Sequence, residues 1–214
     1  MQFGKIVIGI LAIILAVGYL LSGLNLISEI NLGNSAQLNF LLGLGVFIPM
    51  WIFLLRKRHF FSTFEHEFTH LLVGLLFFKK PAKFTATESE GGVTSMYGGN
   101  FLITLAPYFL PTFVYLILPL SFMLKASFIP YYFATLGFLT CYHLLSSIQE
   151  FGYYQSDIYK TGKLFSTIFL IFANILCYGI ILAFVLGGFK LTGKFITGGV
   201  VELIDLVVGL IGKD

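Results

Sequence analysis

Charged residues make up only 11% of the 214 residues, against about 25% in ordinary soluble domains, and this scarcity excludes a water-soluble globular fold. Cysteine is nearly absent. Cys141 and Cys177 both sit inside apolar runs, which rules out a disulfide framework or a thiolate metal cluster and leaves two small packing residues. One Trp accompanies 25 Phe and 11 Tyr, an aromatic complement suited to packing and lipid contact. The net charge of +3 comes from thirteen basic residues in short clusters at the ends of apolar runs, which suits headgroup anchoring and excludes nucleic acid as a partner. Repeats and low-complexity tracts are missing. The longest polar connections, Asn31–Gln37, Lys79–Gly99 and Gln149–Lys163, leave no room for a soluble domain between the apolar runs.

What is present is apolar residue in long stretches: 57% of the chain is hydrophobic and the mean hydropathy is +0.93. Apolar runs recur at Lys5–Ile27, Leu38–Leu55, Phe60–Phe78, Asn100–Leu120, Phe128–Ile148 and Leu164–Gly188, each near the ~20 residues a spanning helix needs. They predict an all-α polytopic membrane protein with about six transmembrane helices, one membrane domain over 1–214, at home in the cytoplasmic membrane if bacterial. The first run is followed by no small-residue cleavage pattern and reads as a retained helix. A further stretch, Phe195–Ile211 within the C-terminal segment 195–212, carries Glu202 and Asp205 and reads as an interfacial or short membrane helix.

Against this background His66-Glu67-Phe68-Thr69-His70 stands out. Residues four apart share a helix face, so His66 and His70 can offer two imidazoles to one metal, while Glu67 lies about 60° round from His70. Two imidazoles and a third ligand leave a zinc position for water, and an adjacent carboxylate can take that water's proton. Glu67 is the candidate base. The pair sits about 12–18 Å from either basic flank of its run, where each ionisable side chain costs about 3 kcal/mol in a bilayer, so a divalent cation or a polar cavity is needed beside it.

The third ligand is open among Glu88, Glu90, His143, Glu150, Asp157, Glu202 and Asp205. Asp157 suits the role best, because the loop around Ser156-Asp157 can dip toward the bilayer. His143, alone in an apolar run, reads equally as an interhelical hydrogen bond or as a site residue: a ligand in place of Asp157, a partner to a ligand, or a donor to the oxyanion of an acyl-transfer step. The threonines and the Gly91-Gly92 pair within Phe84–Tyr97 predict a β-hairpin. Its Gly91-Gly92-Val93-Thr94 segment could hold an extended peptide by backbone pairing. Pro107 and Pro111 predict a kink in the next helix.

Taken together, Phe64-Glu65-His66-Glu67-Phe68-Thr69-His70-Leu71-Leu72, the Gly-Gly hairpin, the Pro-containing helix and the late Ser156-Asp157 resemble the site-2 protease family of intramembrane zinc metalloproteases. The resemblance covers roughly residues 60–171, a protease-like core. It implies a re-entrant hairpin after the zinc helix, Zn2+ held by His66, His70 and Asp157, Glu67 as base, and a membrane-spanning peptide as substrate, as in regulated intramembrane proteolysis. The chain departs from the family where relatives carry an Asn- and Pro-containing segment ending in Asp-Gly and it has Gln155-Ser156-Asp157-Ile158, and at Glu65, where relatives tend to be apolar. From another class comes the reading of a non-catalytic subunit or scaffold working with a membrane protein partner. A transporter using His66, His70 and His143 is a third.

Overall fold

The computed structural model describes residues 2–57, 60–87, 91–152 and 155–211. The chain is mostly helical, with one two-stranded antiparallel hairpin. Among the described residues four helices are long and apolar enough to cross a membrane, or five if one bent pair counts as a single span.

Two of the predicted runs differ from simple spans, for physical reasons. Phe60–Phe78 forms helix α3, Phe60–Leu76, of 17 residues. At 1.5 Å per residue it is about 25 Å long, short of a ~30 Å hydrocarbon core. Asn100–Leu120 breaks into the pair Phe101–Tyr108 and Thr112–Phe122, bent by 92°. Pro107 and Pro111 sit at the break, and proline cannot donate the hydrogen bonds that would carry a helix through.

Contacts divide the chain into two compact units. One is built from the chain ends, up to Gln37 and from Gly162 onward. It holds α1, Gln2–Asn25, and a 49-residue helical stretch, Lys163–Ile211, that is broken at Gly187-Gly188, where Gly188 adopts φ 65°. Beyond the break Phe195 packs onto Gly179 so closely that a Cβ there would overlap its ring, so the second half folds back on the first. Tyr19, Leu26, Ala183 and Phe195 form the core of this unit. The Tyr19 hydroxyl donates to the Ile196 carbonyl at 3.1 Å and Ser22 to the Phe195 carbonyl at 3.1 Å. Gly18 on α1 meets the Gly199 backbone with no room for a side chain, the close small-residue approach that apolar helices use when lipid gives them no hydrophobic reason to associate.

The second unit runs without interruption from Leu38 to Thr161. It contains α2, Ser35–Met50, from Leu38 on, extended by a π-helical turn Trp51–Leu55; α3; the strands β1, Pro81–Thr87, and β2, Gly91–Met96; the short helices α4, Phe101–Leu105, and α5, Thr112–Ile117; α6, Ile129–Glu150; and α7, Ser156–Thr161. Gly43 and Gly137 let α2 and α6 touch backbone to backbone, against Ala134 and Phe40. Phe47, Cys141 and Tyr142 fill the core beside that contact.

Helix α3 ends where Phe78 takes a left-handed φ of 56° and the Lys79 amide returns to the Gly74 carbonyl at 2.9 Å, a helix stop of the kind usually made by glycine. The chain then enters the hairpin, in which Lys83 pairs with Ser95, Phe84 with Thr94, Thr85 with Val93 and Ala86 with Gly92. Gly91-Gly92, predicted as the hairpin centre, instead begins β2.

Candidate metal centre

Each face of α3 has a separate partner, and the spacing of its residues explains why. Phe60, Phe64 and Phe68, four apart, stack as a ladder, with Phe64 also meeting Phe84 of β1 and Phe68 meeting Phe113 of α5. Ser62, Glu65 and Thr69 turn into the core, where the Thr69 and Thr112 hydroxyls share a hydrogen bond at 2.6 Å. Thr63, Glu67 and Gly74 face β2, against Gly92, Thr94 and Met96: a Cβ on Gly92 would overlap the side chains of Glu67 and Thr63, Met96 fills the space over Gly74, and Thr94 Oγ1 donates to the Glu67 carbonyl at 3.0 Å. Alternate residues of β2 thus meet one stripe of the helix, as a period of two requires.

His66 and His70 occupy the remaining face, and α7 brings Asp157 to them from 91 residues away in sequence. The Nε2 atoms of the two histidines lie 3.1 Å apart, and Asp157 Oδ2 lies 3.4 Å from His66 and 3.3 Å from His70. The opposite ring nitrogens are held. His66 Nδ1 meets Glu150 Oε2 at 2.9 Å and His70 Nδ1 meets the Ile103 carbonyl at 2.8 Å. Both partners are acceptors, so in neutral imidazoles the proton sits on Nδ1 and a lone pair on Nε2. Two nitrogen lone pairs and a carboxylate oxygen therefore converge on one point, an arrangement that calls for a cation there. With protonated imidazoles in place of a cation, burial pushes the Asp157 carboxyl up, but hydrogen bonds and charge from His66 and His70 outweigh it and hold the group well below the usual carboxylate range.

The donor set fits zinc. Ligand atoms of a tetrahedral zinc at about 2.0–2.1 Å are about 3.3–3.4 Å apart, matching the observed 3.1, 3.3 and 3.4 Å. A carboxylate or carbonyl behind each histidine is also the usual support of a zinc-ligating imidazole, fixing its tautomer and orientation. Glu67, next to His66 in the chain, is buried, and its Oε2 has no hydrogen-bond partner among the described residues. A buried carboxylate oxygen left bare is costly.

Residues 51–154 match the family model described as Peptidase M50B-like. Over this stretch the chain is similar to that family, which supports membership of the site-2 protease (M50) family. No curated protein and no solved structure matches the chain. The M50 match contains His66, Glu67, His70, His143 and Glu150 but stops short of Asp157, whose position beside the histidines comes from the fold.

Other residues weighed in the sequence go elsewhere. His143 does not join the group. Its Nδ1 faces Glu65 Oε1 at 3.2 Å and its Nε2 faces Ser147 at 3.3 Å, which also answers why Glu65 is present in an apolar helix. Glu202 accepts from Asn25 Nδ2 in the unit of the chain ends, to which Asp205 also belongs. Glu88 and Glu90 lie outside the described residues. Gly91, Gly92, Val93 and Thr94 all fall in β2.

Glu150 is the residue that sequence reasoning undervalued, although a signal existed. It ends α6, where a carboxylate meets the negative end of the helix dipole and is unfavourable without a partner. Its partner is His66. Replacing Glu150 with glutamine is expected to weaken zinc binding about 10- to 100-fold without removing a ligand, as measured by competition with a chromophoric chelator. An effect as large as that of His66→Ala would instead make Glu150 a ligand.

Proposed function

We propose that this protein is a zinc-dependent intramembrane endopeptidase that hydrolyses a peptide bond of a membrane-spanning substrate. The observation that carries the reading is the convergence of His66 Nε2, His70 Nε2 and Asp157 Oδ2 within 3.4 Å of one another, with a buried, unpartnered carboxylate oxygen of Glu67 in the same unit. The match of residues 51–154 to the Peptidase M50B-like model supports it.

His66, His70 and Asp157 would hold the ion. Bound there, zinc would acidify a water and polarise the scissile carbonyl. Glu67 would take a proton from the attacking water and return it to the leaving amine. Glu150 and the Ile103 carbonyl keep both imidazoles in the tautomer that presents Nε2. The hairpin bears on the substrate's conformation. A helical peptide hides its carbonyls in its own hydrogen bonds, whereas a two-stranded sheet offers free strand edges on which an extended segment can pair. Because Gly92 and Thr94 are already committed to α3, such pairing would use backbone groups and leave little side-chain selectivity to β2.

Elemental analysis of detergent-purified protein tests the reading. About one zinc per chain is expected in the wild type, with loss in both His66→Ala and Asp157→Ala. No zinc in the wild type would overturn the reading in favour of a non-catalytic subunit. Loss in His66→Ala alone would remove Asp157 from the ligand set.

A further inference from the structure

We propose that the groove between the ends of α2 and α6 binds an anionic phospholipid, with Arg56 and Lys57 holding the headgroup phosphate and an acyl chain lying along the apolar walls. The site is separate from the metal centre, and the inference stands whether or not the chain is an endopeptidase.

The two helices run side by side in the same direction. Gly43 of α2 meets Ala134 of α6, Phe47 packs on Phe138 and Tyr142, and Trp51 and Leu55 join the cluster that contains Leu145. The candidate spans they belong to, Ser35–Leu55 and Ala126–Glu150, therefore finish at one level. There the Gln149 side chain donates to the Arg56 carbonyl at 3.2 Å and ties the two ends together. The end of a span is where hydrocarbon gives way to headgroups.

At this level the helix changes form. The last turn, Trp51–Leu55, is π-helical, closed by the Arg56 amide on the Trp51 carbonyl at 2.9 Å, a local irregularity that often marks a functional site. Beside it opens a groove of about 960 Å³. Residues 51–54 wall it on one side and Leu145 and Ile148 on the other, and Arg56 and Lys57 also line it. Apolar walls thus adjoin two exposed cations.

Charge and shape together select the occupant. Among the described residues neither cation has an acidic partner, and Glu150, which follows Gln149, is engaged with His66. A guanidinium presents parallel donors that match phosphate oxygens, and an ammonium adds a compact charge. Inorganic phosphate would satisfy the cations but leave Ile52, Phe53 and Leu54, all exposed, uncovered. A zwitterionic lipid would cover them but bring its own cation against Arg56 and Lys57. An anionic phospholipid meets both demands, as basic pockets between helices at the headgroup level do elsewhere.

Trp51, the single tryptophan of the chain, makes the groove observable. The full chain is reconstituted in vesicles of phosphatidylcholine with increasing phosphatidylglycerol, one lipid or the other carrying brominated acyl chains, which quench indole fluorescence on contact. Brominated phosphatidylglycerol is expected to reach half-maximal quenching at a mole fraction about 10- to 30-fold lower than brominated phosphatidylcholine. Replacing Arg56 and Lys57 together by glutamine is expected to abolish the difference. Replacing Lys79 and Lys80, a basic pair outside the groove, is expected to keep it. Equal quenching by the two lipids in the wild type overturns the proposal, as does a preference that survives Arg56→Gln with Lys57→Gln. A preference lost equally in both double variants also overturns it, since general attraction to a basic surface would then be the cause. Excess inorganic phosphate is expected to leave the quenching unchanged; relief by phosphate would show a site for the free anion and overturn the lipid.

Discussion

Replacing Glu67 with glutamine is expected to leave one zinc per chain and to slow cleavage of a co-reconstituted single-span reporter by roughly 10²- to 10⁴-fold, the usual contribution of a positioned general base. Glutamine keeps the shape that packs under Gly92 and removes only the ability to accept a proton. The separation of metal content from rate is what gives the experiment its meaning. His66→Ala would also abolish cleavage, but by emptying the site. Retained cleavage in Glu67→Gln with zinc bound would place the base elsewhere, and loss of zinc would make Glu67 a ligand.

The second large effect is on stability. His143 and Glu65 are 2% and 3% exposed and hydrogen-bond each other at 3.2 Å between α6 and α3. His143→Ala leaves the Glu65 carboxyl buried without that imidazole, which costs about 3–5 kcal/mol for broken buried pairs, or a fall in Tm of roughly 6–20 °C for a chain of this length. Thermal unfolding in detergent measures it. Replacing both residues by leucine should recover most of the loss, because the penalty comes from the stranded partner and not from a missing contact. Loss of zinc without a change in Tm would mean that His143 is a ligand after all.

These two residues also mark where sequence reasoning stops. His66, Glu67 and His70 were legible because helical geometry is local: four residues apart on one helix is a distance known before any fold. Asp157 was legible only as one acid among several, since its approach depends on a bend, a hairpin and the end of α6, none of which leaves a period in the sequence. The pair Glu65 and His143 was hidden for a related reason. Each looked anomalous in its own apolar run, and two anomalies of complementary chemistry are most economically explained by each other, a rule that would have matched them. The span pattern was readable as hydropathy, but α3 gave up length and apolarity to its ionisable residues, and Pro107 with Pro111 turned one continuous run into a right-angled pair.

The division into an uninterrupted site unit and a unit made from the two chain ends has a consequence in time. Helix α1 is made before the site unit, yet Phe195 and Gly199, which cover its Gly18 and Tyr19 face, come about 170 residues or more after α1 ends at Asn25. At about 5–20 residues per second of synthesis, α1 waits roughly 9–35 s with that face uncovered, while every residue of the candidate metal centre is made and can begin to assemble. Birth order thus favours the site unit over the unit of the chain ends, and the newborn α1 depends on whatever in the membrane shelters a small-residue stripe until its own late partner arrives.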